Sequence, residues 1–510
     1  MATDAPALID PAGPPKESAW ARGAAWMLAI ACVAGVCVYY AWILSLGWQV
    51  KWHGHNDGYY GSLAQAFARG QTYLLEPPHP DMAKLADPYD PAQNGQIRLH
   101  DALYYKDRYY FYWGPVPAIL GMPFKMWPGG PRGFSDVYLL MTFAGGMVLA
   151  VAAILARARE RLFPSVPWWT VGIGVLAAGL ANPMPYTLAR PAVYEVSIFG
   201  GQFFLIWGIF FAFIGLDRRP RPWLLALAGM SWGMAVGTRV GLAPAVIAMA
   251  GLAALRLLLY RGQVDRRQRL WSLAALAAPL VAWAIGLMAY NHVRFDSPLE
   301  FGLRYQLAGI NVNKLFDTLM SRRYVEPNLW RYLFEWPEVK SAFPFIEAGG
   351  RRLEFIQKHK LPFDYGMEPL IGVVWATPYV LLAGIALVAL PRRNGRVDLL
   401  HERWLTLSLL IGALLAVAPD LCMMGSTMRY VVDGMPGWIL LATLGLFQWI
   451  RAAQREGRPK GVLMLVVGQA WAVSVLFGLL LGMTGYSQYL ERYNAPLWSE
   501  MVQRANALRP

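Results

Sequence analysis

The stretch Trp52-His53-Gly54-His55-Asn56-Asp57-Gly58-Tyr59-Tyr60 gathers a carboxylate, two imidazoles and two phenols just past the first long apolar run. A carboxylate held at the water face of a bilayer, with aromatic rings beside it, has the setting of a general base. It can take the proton of a hydroxyl as a new bond forms, a contribution of roughly 10²- to 10⁴-fold. Asp57 suits a second role equally well, because Asp before a helix is a strong N-cap worth about 1 kcal/mol. Asn caps nearly as well and takes no proton, so Asp57→Asn separates the two. His53 and His55 stand two apart without an obvious third ligand, which favours a solvated loop over a metal site.

More ionisable residues recur at the edges of apolar runs. Arg190-Pro191-Ala192-Val193-Tyr194-Glu195 opens one of them, and a charged side chain at a membrane edge facing a cavity is a functional candidate. Glu195 is either a second carboxylate or the partner of Arg190, and pairing is the favoured reading. Arg239 lies between two apolar halves with no acidic neighbour in sequence. A buried guanidinium needs an anion or carbonyls, and a lipid phosphate would serve. Arg294 and Arg304 stand among aromatics, a composition that interfacial anchoring also explains. Arg429 and Asp433 have the i, i+4 spacing of an ordinary helix pair. As a set, these four arginines fall on the side where charge bias selects against them, which points to an anion there.

The elements that must position these residues follow from composition. Of 510 residues, 56% are hydrophobic and 15% charged, with mean hydropathy +0.33, against roughly 25% charged for a soluble domain. This is the signature of an all-α polytopic membrane protein. The net charge of +14 does not mark a nucleic-acid surface, because it is concentrated in segments 157–161, 217–221, 261–269, 392–403 and 451–460, which hold 18 basic and 6 acidic residues. Short basic loops of this kind face the cytoplasm. Cys32, Cys37 and Cys422 lie in or beside apolar runs, so neither a disulfide framework nor a thiolate metal site is expected.

Hydropathy and parity predict about 11 transmembrane helices. Residues 1–22 form a disordered cytoplasmic tail, 23–484 the transmembrane domain and 485–510 an outer C-terminal tail. Two long outer loops, 47–133 and 291–369, carry interfacial helices. One is expected around Leu63, Ala64 and Phe67 and stops at Gly70. Another, over 111–127, holds Pro115, Pro117 and Pro123 and is too short to cross a roughly 30 Å core. Two spans, the first of them short, meet near Arg239, and 370–390 is expected to be a single span.

In its order of features the chain resembles the GT-C superfamily of membrane glycosyltransferases, which includes protein mannosyltransferases and aminoarabinose transferases. The resemblance rests on Asp57, Tyr59, Tyr60, Leu63 and Ala64; on Tyr112 to Pro115 before a proline-rich apolar segment; on Tyr194-Glu195 opening a span; on Asn291 to Gly302; and on Arg429-Tyr430 with Asp433 and Pro436. It implies a GT-C-like bundle and an inverting transfer of a sugar from a polyprenyl-phosphate donor to a glycan, lipid or protein acceptor. The reaction would take place at the periplasmic face of a bacterial inner membrane, with Asp57 as base. Arg239, Arg294, Arg304 and Arg429 become candidates for the donor phosphate, and Tyr59, Tyr60, Tyr112, Arg190 and Glu195 for the substrates. Several relatives have a second acid directly after this Asp, where this chain has Gly58, and the Asp-x-Asp metal motif of the oligosaccharyl branch is not evident in the first loop. No cofactor is therefore required, and a divalent metal is left open. A transporter or flippase of lipid-linked sugars and an O-antigen ligase or polymerase are the rival readings.

Overall fold

The computed structural model describes residues 18–49, 58–127, 135–217, 219–259, 265–350, 352–389, 397–457 and 461–507. Asp57, His53 and His55 lie outside them. Among the described residues, seven helices are long and apolar enough to cross a membrane: Ala19–Leu44, Asp136–Leu162, Val193–Gly215, Val240–Leu259, Arg266–Phe295, Leu400–Leu421 and Met464–Thr484. The chain is a multi-pass integral membrane protein. The other expected spans are also helical, at Trp169–Leu180, Pro222–Thr238 and Met435–Arg455.

The stretch expected to be one span over 370–390 is instead broken into Val373–Ala376, a 3-10 turn Pro378–Leu382 and Ala383–Val388. Pro378 explains the break, since proline removes an amide donor and disfavours helix in the residue before it, and Thr377 adopts φ −139°. The bend at Arg239 appears as expected. Pro222–Thr238 ends there in an extended residue, φ −143° and ψ 101°, before the chain turns into the next helix.

The helices at 136–162, 193–215, 222–238 and 266–295 pack side by side. Without a hydrophobic drive between helices in lipid, close backbone approach through small residues holds such bundles together. A Cβ added at Gly229 would lie 2.2 Å from the Leu276 carbonyl oxygen, so that crossing admits only glycine. The Arg266–Phe295 helix leaves Val281, Ile285 and Met288 exposed, as a lipid-facing helix should.

Between the spans, the two long loops fold onto one another. In the first, the Gly58–Ala68 helix packs against Val116–Met126. Strands Leu103–Tyr105 and Arg108–Tyr110 pair antiparallel, Leu103 opposite Tyr110. Lys106 and Asp107 both have positive φ, the geometry of a tight hairpin turn. The second loop docks on this hairpin: Leu103 bridges to Gln306, and Asp101 N donates to Leu307 O at 3.0 Å. Fully buried Arg331 bonds Glu335 at 2.8 Å, Ser426 at 2.5 Å and the Glu368 carbonyl at 3.0 Å. It thereby ties the second loop to the 420–433 turn. The C-terminal stretch is helical at Tyr489–Tyr493 and Ala495–Ala507, and Asn494 Nδ2 donates to Leu46 O at 2.7 Å.

Candidate functional site

A chamber of about 520 Å³ lies between the helix ends and the two loops. Its wall is largely apolar, with Ile198, Leu287, Leu303, Leu319 and Met424 among its residues, and into it reach three of the four arginines singled out by sequence: Arg239, Arg294 and Arg429. Tyr112 and Tyr194 also line it. A second, apolar cavity of about 400 Å³ adjoins it, sharing Pro115, Leu287 and Tyr290 and bounded by Phe67, Ile119 and Trp283.

The three arginines are held differently. Arg239 Nη2 lies 2.6 Å from Asp433 Oδ2 and 3.2 Å from Asp420 Oδ1, so carboxylates answer its charge. Arg429 Nη2 lies 2.9 Å from Glu368 Oε1, with its guanidinium 4.6 Å from the Tyr194 ring centre. Arg294 donates instead to the Phe111 carbonyl at 2.8 Å and to Asn291 Oδ1 at 2.6 Å, and it stacks over Tyr290 at 4.0 Å. Its Nε is buried without a partner. Among the described residues it forms no ion pair, so Arg294 brings a buried charge that neutral oxygens and rings solvate but no anion cancels. Such a group favours an anionic ligand.

The remaining sequence candidates spread out from this chamber. Arg304 lies outside its lining, half exposed, 3.3 Å from Glu300. The i, i+4 pair of Arg429 with Asp433 does not form, because the two turn to Glu368 and Arg239. Glu195 is buried and its Oε2 has no partner. Among the described residues it makes no ion pair with Arg190, whose guanidinium lies over Tyr194 and Tyr486. Tyr59 donates to the His100 carbonyl and packs on Phe111 and Trp113. Tyr60 is fully buried with an unpartnered hydroxyl. Burial pushes the Tyr112 phenol up to about 12, so it stays a proton donor near neutrality.

Besides Glu368, three further carboxylates that sequence did not single out belong to this region. Asp420 lines the chamber. Asp101, buried at the loop junction, accepts from the Tyr194 hydroxyl and from Gln306 Nε2 at 3.2 Å, and burial raises its proton affinity. Asp136 receives Gly61 N at 3.2 Å, so a carboxylate from another helix caps the start of Gly58–Ala68. The available signal was an acid at the border of an apolar run, which Asp136 and Asp420 share. Among the described residues, no group of three or more His, Cys, Asp and Glu is arranged to hold a metal ion.

No family model matches the chain, and no curated protein matches it. Solved structures are similar to it at low identity. The Archaeoglobus fulgidus oligosaccharyltransferase in its apo form is 14% identical with a TM-score of 0.45, covering 92% of this chain, which spans only 57% of that protein. The same protein tethered to an acceptor peptide gives 12% and 0.44. ArnT from Cupriavidus metallidurans bound to undecaprenyl phosphate is 12% identical with a TM-score of 0.42, covering 93% of this chain and 79% of that one.

Proposed function

We propose that the chain is an inverting glycosyltransferase that moves a hexosyl or pentosyl group from a polyprenyl phosphate to a glycan, lipid or protein acceptor. The observation that carries this reading is Arg294: a buried guanidinium that pairs with no carboxylate among the described residues, in an apolar chamber that adjoins a second apolar cavity beside a lipid-facing helix. That combination suits an amphiphile with an anionic head. Arg294 would hold the phosphate, with Arg429 near it, and the apolar cavity would take the first part of the lipid. As charge grows on the departing phosphate, a fixed guanidinium in a partly dry site stabilises it more than water does. Tyr112 and Tyr194 would face the sugar or the acceptor, with Tyr59, Tyr60, Arg190 and Glu195 in the layer around them.

In this reading residues 23–484 are the catalytic domain, the loops 47–133 and 291–369 face the periplasm of a bacterial inner membrane, and 485–510 lies on that same side. Asp57 directly precedes the helix that starts at Gly58, and it is the catalytic carboxylate that the family resemblance implies. The first turn of that helix also donates Gly61 N to Asp136 Oδ1 at 3.2 Å. The test is binding of undecaprenyl phosphate by the purified protein, followed by release of that lipid from sugar-bearing forms. Asp57→Asn is expected to slow release by about 10²-fold or more with binding intact. An Asp57→Asn protein of full activity would remove Asp57 from the mechanism, and a wild type that flips the lipid without cleaving it would favour a transporter.

A further inference from the structure

Arg294 and Arg429 reach into the same chamber, yet among the described residues Arg294 meets no carboxylate, whereas Arg429 meets that of Glu368, which lies outside the lining. Glu368 is anchored without help from the arginine. Its backbone N donates to Ser426 O at 3.0 Å, its carbonyl accepts from Arg331 Nη2 at 3.0 Å, and its Oε2 accepts from the Thr427 hydroxyl. Arg429 touches it through Nη2, 2.9 Å from Oε1, and among the described residues the Arg429 Nε is buried without a partner. The guanidinium otherwise lies against the Tyr194 ring. The pair is thus a fixed carboxylate facing a cation that it engages only in part. The Glu368 side chain is 25% exposed, so water can solvate it once Arg429 turns away.

We propose that Glu368 sets how much negative charge the chamber retains, by competing with the bound phosphate for Arg429. The proposal rests on the transfer reaction proposed above. A sugar-bearing polyprenyl phosphate is a diester with a single negative charge, which Arg294 alone can meet. In the transfer the acceptor oxygen bonds to the anomeric carbon, the bond from that carbon to the phosphate oxygen breaks with its electron pair left on the phosphate, and the hydroxyl proton passes to Asp57. The lipid product is a monoester carrying about 1.5 to 2 negative charges near neutral pH. Its added charge draws on Arg429, and Glu368 opposes that pull. The carboxylate thereby keeps the spent lipid from being held more tightly than the fresh donor. By the same competition it disfavours a diphosphate-linked lipid, whose second phosphate needs a free cation. Glu368 acts through Arg429 and is a specificity residue, not a catalytic one.

The experiment titrates the full chain in a neutral detergent, at about pH 8 where a phosphate monoester is fully ionised. The ligands are undecaprenyl phosphate and its methyl ester, a singly charged diester on the same lipid. Glu368→Gln removes the charge and keeps both contacts, since its amide oxygen accepts from Arg429 and its nitrogen donates to the Thr427 hydroxyl. It is expected to tighten undecaprenyl phosphate binding by roughly 10-fold and to slow its release, and to tighten the methyl ester less. A merely structural Glu368 would give the opposite sign, with a lower Tm and weaker binding of both lipids. Unchanged or weaker undecaprenyl phosphate binding in the folded variant overturns the proposal, and so does an equal gain for the two lipids. Should Glu368→Gln not fold, Arg429→Gln decides: it is expected to weaken undecaprenyl phosphate more than the methyl ester, and equal weakening overturns the proposal. A wild type that binds neither lipid overturns the transfer reading and the proposal with it, whereas a wild type that binds both, without these shifts in the variants, removes only the role of Glu368.

Discussion

Arg239 and Arg294 line one chamber and stand in opposite electrostatic states. Two carboxylates clasp the first, whereas the second has a carbonyl, an amide oxygen and aromatic faces. A cation clasped by carboxylates has little left for a newcomer, and its removal strands anions. A cation among neutral oxygens keeps its long-range field and can exchange it for an anion at small structural cost. The two walls therefore divide the work, one holding helices together and presenting a carboxylate, the other waiting for a charge.

The sharpest way to break this contrast is to delete each arginine. Arg239→Met leaves Asp420 and Asp433 buried without their cation and is expected to cost about 3–5 kcal/mol, read as a large fall in Tm. Arg294→Gln should leave the Tm nearly unchanged and weaken undecaprenyl phosphate binding by about 1.5–3 kcal/mol, the worth of a hydrogen bond to a charged group, measured by titration. If Arg294→Gln unfolds the protein and Arg239→Met weakens only the ligand, the roles are reversed. Arg304→Ala supplies the baseline. Its exposed contact with Glu300 should be worth no more than about 1 kcal/mol, and lipid binding should be unaffected; a clear loss would bring Arg304 back to the donor phosphate.

The spans were legible in the chain because a bilayer demands long apolar runs, and the bend at Arg239 was legible because two halves had to meet between basic loops. The break at Pro378 was hidden, since apolar content alone does not distinguish a straight span from a kinked one. Of the site, sequence reached the arginines that are conspicuous outside the basic loops. Their partners were out of reach: Glu368 meets Arg429 across 61 positions, and Asp420 meets Arg239 across 181. Local spacing instead suggested Arg429 with Asp433, a pairing that tertiary contacts replaced. Asp101 gave no sign, because its burial arises only when the second loop closes over the hairpin.

Gly58 has φ +70°, and a Cβ built there would lie 2.3 Å from the Asp136 carboxyl carbon. An adjacent acid after Asp57 would have to adopt a left-handed backbone and displace the Asp136 carboxyl group. The obstacle is reciprocal, since enlarging one position requires shrinking the other. Grafting a paired-acid arrangement here would demand a compensated exchange at 58 and 136 together, and a library that varies only the first of them would return glycine.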